Sequence, residues 1–354
     1  MSKSVFLESH NIKNRAGGLG TFNYELIKAM AKENLDDLQI ILNSANTTIL
    51  SDEFGSKFKY HTYRSLQRYP LFRIRKKYDV WHSMNQNTKV EPASNTAKYI
   101  LTVHDVNFVE ENSSDLSSKK NKQFIEKLNR ADAITYISEF AKAQTHQYFD
   151  VPEVEEKVIY NGNPITEFLD TSTFVSSVPT NIPYFYSIGD FIERKNFIAI
   201  IRMFKNIKDY NLIISGNHDK SYGLEIKNFI RENNLENRVF LTGRVSDVAK
   251  QYYMKNGVAF LFPSIREGFG LPPIEAMKFE KPVFLSTKTS LPEIGGDAAF
   301  YWQDFDPDYM REFMFAKLSE FESNPILYKS KLLAQANFFD WSKAAKSFLE
   351  LYRS

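Results

Sequence analysis

Phe262-Pro263-Ser264-Ile265-Arg266-Glu267-Gly268-Phe269-Gly270-Leu271-Pro272-Pro273-Ile274-Glu275-Ala276-Met277 carries two glutamates separated by seven residues that include a glycine-rich turn. The run 258–262 leading into it is short, apolar and β-like, whereas 274–277 reads as helix. The turn is therefore predicted at the carboxyl end of a buried strand. Open α/β sheets bind ligands at that edge, and a helix starting there presents free backbone N–H groups to an anion. Gly268 and Gly270 allow close approach of the backbone to a ligand, and Pro272 and Pro273 suit a first helical turn. Glu267 then faces the ligand from the loop and Glu275 from inside the helix. The plainer alternative makes Glu267 a helix cap and Glu275 a solvated side chain.

Short apolar runs alternate with amphipathic stretches on both sides of this segment. In the first half, 5–7, 38–42, 80–81, 99–103, 133–137 and 158–160 read as strands, with helices such as 22–31 and 119–129 between them. In the second, 184–188, 212–215, 239–241, 258–262, 283–285 and 298–301 do so. The alternation predicts two parallel, doubly wound sheets, with the crevice between them as the natural site for two substrates. After Asn161-Gly162-Asn163-Pro164 the chain becomes rich in Thr, Ser and Pro. The expected organisation is a Rossmann-like domain over 1–165, a linker over 166–183, a second Rossmann-like domain over 184–338, and a final amphipathic helix within 339–354.

With 354 residues the chain can form two cores. Its 45 Lys and Arg against 43 Asp and Glu give a net charge of +2, which points to neither nucleic acid nor an acidic partner. The absence of cysteine excludes disulfides and thiolate metal sites and fits a reducing compartment. The apolar run 5–7 is broken by Glu8, unlike a signal peptide, and no run is long enough to span a bilayer. A cytoplasmic protein is expected, free or held at the inner face of the cytoplasmic membrane.

Taken whole, 262–277 resembles the signature of the retaining glycosyltransferases of family four, which have the GT-B fold: two Rossmann-like doubly wound domains facing a deep cleft. The resemblance implies that Glu267 contacts a donor sugar and Glu275 a nucleotide ribose, with Gly268, Phe269, Gly270 and Leu271 around the donor. It also implies that the last helix crosses back to the first domain. Ser290-Leu291-Pro292-Glu293-Ile294-Gly295-Gly296-Asp297-Ala298-Ala299 follows the same family's pattern.

Other segments join this resemblance. Arg15-Ala16-Gly17-Gly18-Leu19-Gly20-Thr21 lacks the third glycine of a dinucleotide fingerprint, since Asn23 stands there. Gly17 and Gly18 can form an anion nest or merely a tight strand-to-helix turn. They are similar to the family's first glycine-rich loop, and Arg15 stands where the related starch and glycogen synthases usually carry lysine. In 187–196, Arg194 and Lys195 adjoin a helix start, where cations oppose the helix dipole unless an anion offsets them. The resemblance makes them the pair that holds a diphosphate leaving group; the alternative is a solvated pair. His104, in Leu101-Thr102-Val103-His104-Asp105, resembles the family's histidine beside the donor sugar, in a positioning role. Ser138 is either an N-cap or part of another family segment.

The implied reaction moves a hexose from a nucleoside diphosphate sugar to a glycan or lipid-linked glycan, with retention. The strings resemble bacterial mannosyltransferases of surface polysaccharide assembly, which makes GDP-mannose the first choice of donor. A retaining glycoside hydrolase and a non-catalytic nucleotide-sugar or glycan binder are the alternatives. No metal or other cofactor is expected: Asp304-Phe305-Asp306 precedes Pro307 and reads as a helix cap. The run 63–77 sets Arg64, Arg68, Arg73, Arg75, Lys76 and Lys77 among Tyr69, Leu71, Phe72 and Ile74. It reads as contact with an anionic membrane or as a solvated face, and nucleic acid is not the expected partner.

Overall fold

The computed structural model describes residues 2–15, 17–94, 97–111 and 113–354. Two compact units emerge: Met1–Pro164 together with Asp340–Ser354, and Ile165–Phe339.

The first unit holds seven strands, β1 (Lys3–Leu7), β2 (Leu38–Ser44), β3 (Lys59–Thr62), β4 (Val80–Ser83), β5 (Lys98–Val103), β6 (Ala133–Tyr136) and β7 (Glu155–Val158). All pair in parallel in the order β3-β2-β1-β4-β5-β6-β7. Val5 sits beside Ile40 on one side and Val80 on the other. Helices cover both faces of such a sheet, so its central strands are apolar runs without alternation. The edges differ. β3 is Lys-Tyr-His-Thr and escapes a search for apolar runs. β7 is Glu-Glu-Lys-Val and lies before the expected 158–160. Charged edge strands resist pairing with other chains, which conceals them in sequence.

The second unit has six strands, β8 (Tyr184–Ile188), β9 (Asn211–Ser215), β10 (Val239–Gly243), β11 (Phe260–Phe262), β12 (Val283–Ser286) and β13 (Phe300–Trp302). They too are parallel, in the order β10-β9-β8-β11-β12-β13. In each unit the order reverses beside the first strand, at β1/β4 and at β8/β11. Loops leaving the carboxyl ends of those neighbours diverge there and open a ligand crevice.

Residues 166–183, expected as a linker, fold against the second unit. Leu169 N donates to Gln251 Oε1 at 2.9 Å, Phe174 packs 4.9 Å from Tyr252, and Ser176 Oγ lies 2.9 Å from the Tyr253 hydroxyl. The helix Trp341–Arg353, capped by Asp340, belongs to the first unit and buries Trp341, Ala344, Ala345, Phe348, Leu349 and Tyr352, a helical stripe. It packs on the helix Gly18–Met30, with Phe22 6.0 Å from Trp341 and 6.3 Å from Phe348. A methyl group at Gly162 would lie 2.2 Å from Trp341 N, so only glycine admits the tryptophan. The Tyr352 hydroxyl meets His82 Nδ1 at 2.7 Å, His82 Nε2 meets Thr102 Oγ1 at 2.7 Å, and Thr102 meets Thr135 at 2.7 Å, all buried.

Candidate active site

Two loops meet at the β8/β11 reversal in the second unit. After β8, a single turn of 3-10 helix spans Glu193–Lys195, and Asn196 at φ 50° separates it from the helix Phe197–Met203. Arg194 and Lys195 therefore precede that helix instead of occupying its first turn, and the dipole argument does not apply to them directly. What the turn does is present both cations to the loop after β11. Arg194 Nη1 lies 3.0 Å from Glu267 Oε2 and donates to the Arg266 carbonyl at 2.7 Å, while Lys195 Nζ lies 2.5 Å from Glu267 Oε1.

The rest of this loop is fixed from several sides. Ser264 Oγ is within reach of Glu267 Oε1 at 2.7 Å and of the Arg194 carbonyl at 2.9 Å. Glu267 N donates to Thr289 Oγ1 at 3.0 Å, and Ser290 Oγ donates to the Phe269 carbonyl at 2.7 Å. Glu267 and Lys195 are 7 % and 8 % exposed. Burial pushes the Glu267 carboxyl up, but Lys195, Arg194 and the hydrogen bonds from Lys195 and Ser264 outweigh it and hold the group below the usual carboxylate range. Burial pulls Lys195 down, Glu267 opposes, and Arg194 reinforces the fall. Two cations meet one buried carboxylate, with Asp190 also acting on Lys195, in a largely dry, charged centre at a sheet edge. Such a centre suits a ligand with an anionic part and hydroxyl groups that a carboxylate can accept.

Gly270 adopts φ +116°, which excludes other residues, and opens the helix Leu271–Met277. Pro272 and Pro273 lie in its first turn and bring no N–H, so this helix start offers an anion fewer donors than expected. The cationic groups at this edge are Arg194 and Lys195. Phe269 is buried edge-to-face against Phe339 at 5.3 Å, and Gly268 is half-buried between it and Glu267. Glu275 is not solvated: it is 6 % exposed and 3.1 Å from Lys250 Nζ, which also lies 3.4 Å from Asp247. Burial lowers the Lys250 ammonium, but Glu275 and Asp247 outweigh it and raise the group.

The remaining sequence-predicted residues lie at the carboxyl edge of the first unit's own sheet. Gly17 is the N-cap of Gly18–Met30. A methyl group at Gly18 would meet nothing within 4 Å, whereas one at Gly20 would sit 1.9 Å from the Asn14 carbonyl oxygen. Packing thus demands glycine at 20 and leaves 18 free for another reason. Ala16 lies outside the described residues. Arg15 does not reach toward the loop; it is paired with Glu53 at 2.7 Å over the Tyr24 ring. His104 follows β5, its Nε2 donating to the Met84 carbonyl at 2.9 Å, its backbone N donating to Gln86 Oε1 at 3.0 Å, and its ring edge-to-face with Phe22. Burial pulls it down to about 4, so it is neutral at ordinary pH. Ser138 is an N-cap, accepting from Ala141 N at 3.0 Å. Asp306 caps Pro307–Ser323 by accepting from Asp308 N and Tyr309 N. Among the described residues no group of three or more acidic or histidine side chains could hold a metal, and no helix is long and apolar enough to cross a membrane.

Sequence reading missed Lys250, Ser264 and Thr289, which hold the two glutamates. Ser264 lay inside the deciding stretch and Thr289 just before another motif. Lys250 is one lysine on a surface-like helix and carried no signal.

The family described as Glycosyltransferase Family 4 matches residues 16–166, and that described as Glycosyl transferases group 1 matches 170–306. O-antigen chain mannosyltransferase B of Escherichia coli is 22 % identical over 99 % of both chains. O-antigen chain mannosyltransferase RfbU of Salmonella typhimurium is 28 % identical over 49 % of this chain and 47 % of its own length. Among solved structures, Anabaena Alr3699/HepE in complex with UDP-glucose superposes with a TM-score of 0.75 at 17 % identity over all of both chains. A glycosyltransferase from Rickettsia africae does so with 0.73 at 15 % over 99 % of this chain and 98 % of its own.

Proposed function

Because the chain belongs to the glycosyltransferases of family four, with the GT-B fold, we propose that it moves a hexose from a nucleoside diphosphate sugar to a glycan or lipid-linked glycan, with retention at the anomeric carbon. The first choice of donor is GDP-mannose and the setting bacterial surface polysaccharide assembly, as the O-antigen relatives suggest. The observation that carries the reading is the convergence of Arg194 and Lys195 on Glu267 within 3.0 Å.

In this mechanism the donor diphosphate lies against Arg194 and Lys195, which offset the charge that grows on the departing phosphate oxygen. Glu267 accepts hydroxyl hydrogens of the donor sugar and Glu275 those of the ribose, each held in place by its lysine. Gly17, Gly18 and the 268–271 turn bring backbone close to the donor, and neutral His104 and Ser138 help to position it. The bond from the anomeric carbon to the diphosphate breaks, and the bond to the acceptor oxygen forms on the same face. The acceptor proton passes to the leaving phosphate. No metal enters the scheme. A glycosidase needs one carboxyl held protonated as an acid; Glu267 is held ionised, which favours transfer. The enzyme works at the inner face of the cytoplasmic membrane, a reading supported by the basic, aromatic run 63–77.

The test is a panel of nucleotide sugars by thermal shift, where ligand at about a hundred times its dissociation constant stabilises by about 2.7 kcal/mol, followed by anomeric analysis of the product with and without EDTA. Arg194→Ala, which leaves Lys195 on the buried carboxylate, should fold and lose turnover by on the order of a hundredfold. Full activity in that variant, or inversion of the product, refutes the scheme.

A further inference from the structure

Between β3 and β4 the first unit carries two short turns, Ser65–Arg68 and Pro70–Phe72. Tyr63, Gln67, Ile74 and Tyr78 point inward and are buried. Gln67 N donates to the Arg64 carbonyl at 2.9 Å, Ile74 bridges Pro92, and Ala93 N donates to the Ile74 carbonyl at 2.9 Å. With those positions fixed, the residues between them must face out. Leu66, Tyr69, Leu71 and Phe72 are 52 %, 61 %, 84 % and 52 % exposed.

One exposed leucine needs no explanation, but four large apolar side chains within seven residues form a patch that asks for a partner. Six cations surround them, Arg64, Arg68, Arg73, Arg75, Lys76 and Lys77, with no acid anywhere in 63–78. No acidic side chain pairs with any of the six among the described residues. A purely acidic polar surface would satisfy the charges and leave the apolar tips in water. An anionic bilayer satisfies both, with headgroup phosphate for the cations and acyl boundary for the tips.

We propose that this segment inserts into an anionic membrane, with Leu71 and Phe72 entering the acyl boundary, Leu66 and Tyr69 at headgroup depth, and the six cations on lipid phosphates. The inference deepens the membrane contact given under the proposed function and rests on it. Its test uses vesicles without donor or acceptor, so its failure leaves the transfer reaction standing.

Sedimentation is measured with phosphatidylcholine vesicles and with phosphatidylcholine–phosphatidylglycerol vesicles, at low salt and at about 1 M salt, where the Debye length is about 3 Å. The parent should prefer the anionic vesicles by roughly tenfold or more and retain a bound fraction at high salt. Leu71→Ser with Phe72→Ser should lose that fraction, whereas glutamine at 73, 75, 76 and 77 should abolish the preference for anionic lipid. Leu71→Trp should gain emission that brominated lipid quenches, since Trp81, Trp302 and Trp341 are all buried. Complete release of the parent by salt, with no quenching in Leu71→Trp, overturns insertion and leaves only charge contact. Equal binding to both vesicle types, or tighter binding to a soluble nucleic acid than to anionic vesicles, overturns the choice of partner.

Discussion

Acidification should destabilise the first unit before carboxylates titrate. His82 is 0 % and His104 6 % exposed. Burial pulls His82 down to about 3, with His104 adding to the effect, and His104 down to about 4. Both values lie below the unfolded 6.5, so between them the unfolded chain holds the extra protons, and stability falls as pH falls. Each group costs about 1.4 kcal/mol per pH unit in that window. From pH 7 to 5 the two together remove about 4 kcal/mol, a large share of the roughly 5–15 kcal/mol typical of a native protein. Half-exposed His61, also lowered by burial, pulls the same way. Trp81 and Trp341 lie in the first unit and Trp302 in the second, so a Trp302→Phe variant reports the first unit alone by fluorescence. Urea titrations of that variant at pH 7, 6 and 5 read the slope, and adding His82→Gln should remove about half of the loss. Stability that stays flat across this range, or a slope untouched by His82→Gln, would refute the account.

Glu275→Gln and Lys250→Met should each weaken binding of free nucleoside diphosphate and of donor by about tenfold or more, the scale of a charged hydrogen bond. Glu267→Gln should leave nucleoside diphosphate affinity unchanged or tighter, because it releases Arg194 and Lys195, yet lower turnover; calorimetry showing the reverse pattern would mean the roles are exchanged. Gly20→Ala should destabilise the first unit by roughly 1–3 kcal/mol through overpacking, whereas Gly18→Ala should fold normally and lose donor affinity. A Gly18→Ala enzyme with parental kinetics would remove that loop from the donor site.

The central strands and the turn at 262–277 could be read from the sequence because buried parallel strands are uniformly apolar and because glycine and proline fix loop geometry locally. The edge strands β3 and β7 could not, since their charged residues are chosen to discourage pairing and carry no apolar period. The site was legible where chemistry is contiguous, as in Glu267 to Glu275, and where two cations adjoin. It was not legible where a residue acts across the fold: Lys250 meets Glu275, and Thr289 meets the Glu267 backbone, only after β11 and β12 have paired. Arg15, which stands where the related synthases usually carry lysine, likewise meets its partner Glu53 only in the folded chain.

The helix Trp341–Arg353 has a consequence for how the molecule is made. The second unit is one unbroken stretch of chain, whereas the first needs a piece that follows it. A ribosome therefore delivers everything the second unit requires while the earlier-synthesised unit still lacks its closing helix, and domains ordinarily fold from the amino end first. Until that helix emerges, Phe22 is uncovered, His82 has no Tyr352 to bond, and the slot at Gly162 is empty of its tryptophan. Order of synthesis and order of completion are inverted, and the nascent first unit spends that interval with an open apolar groove for a chaperone to occupy.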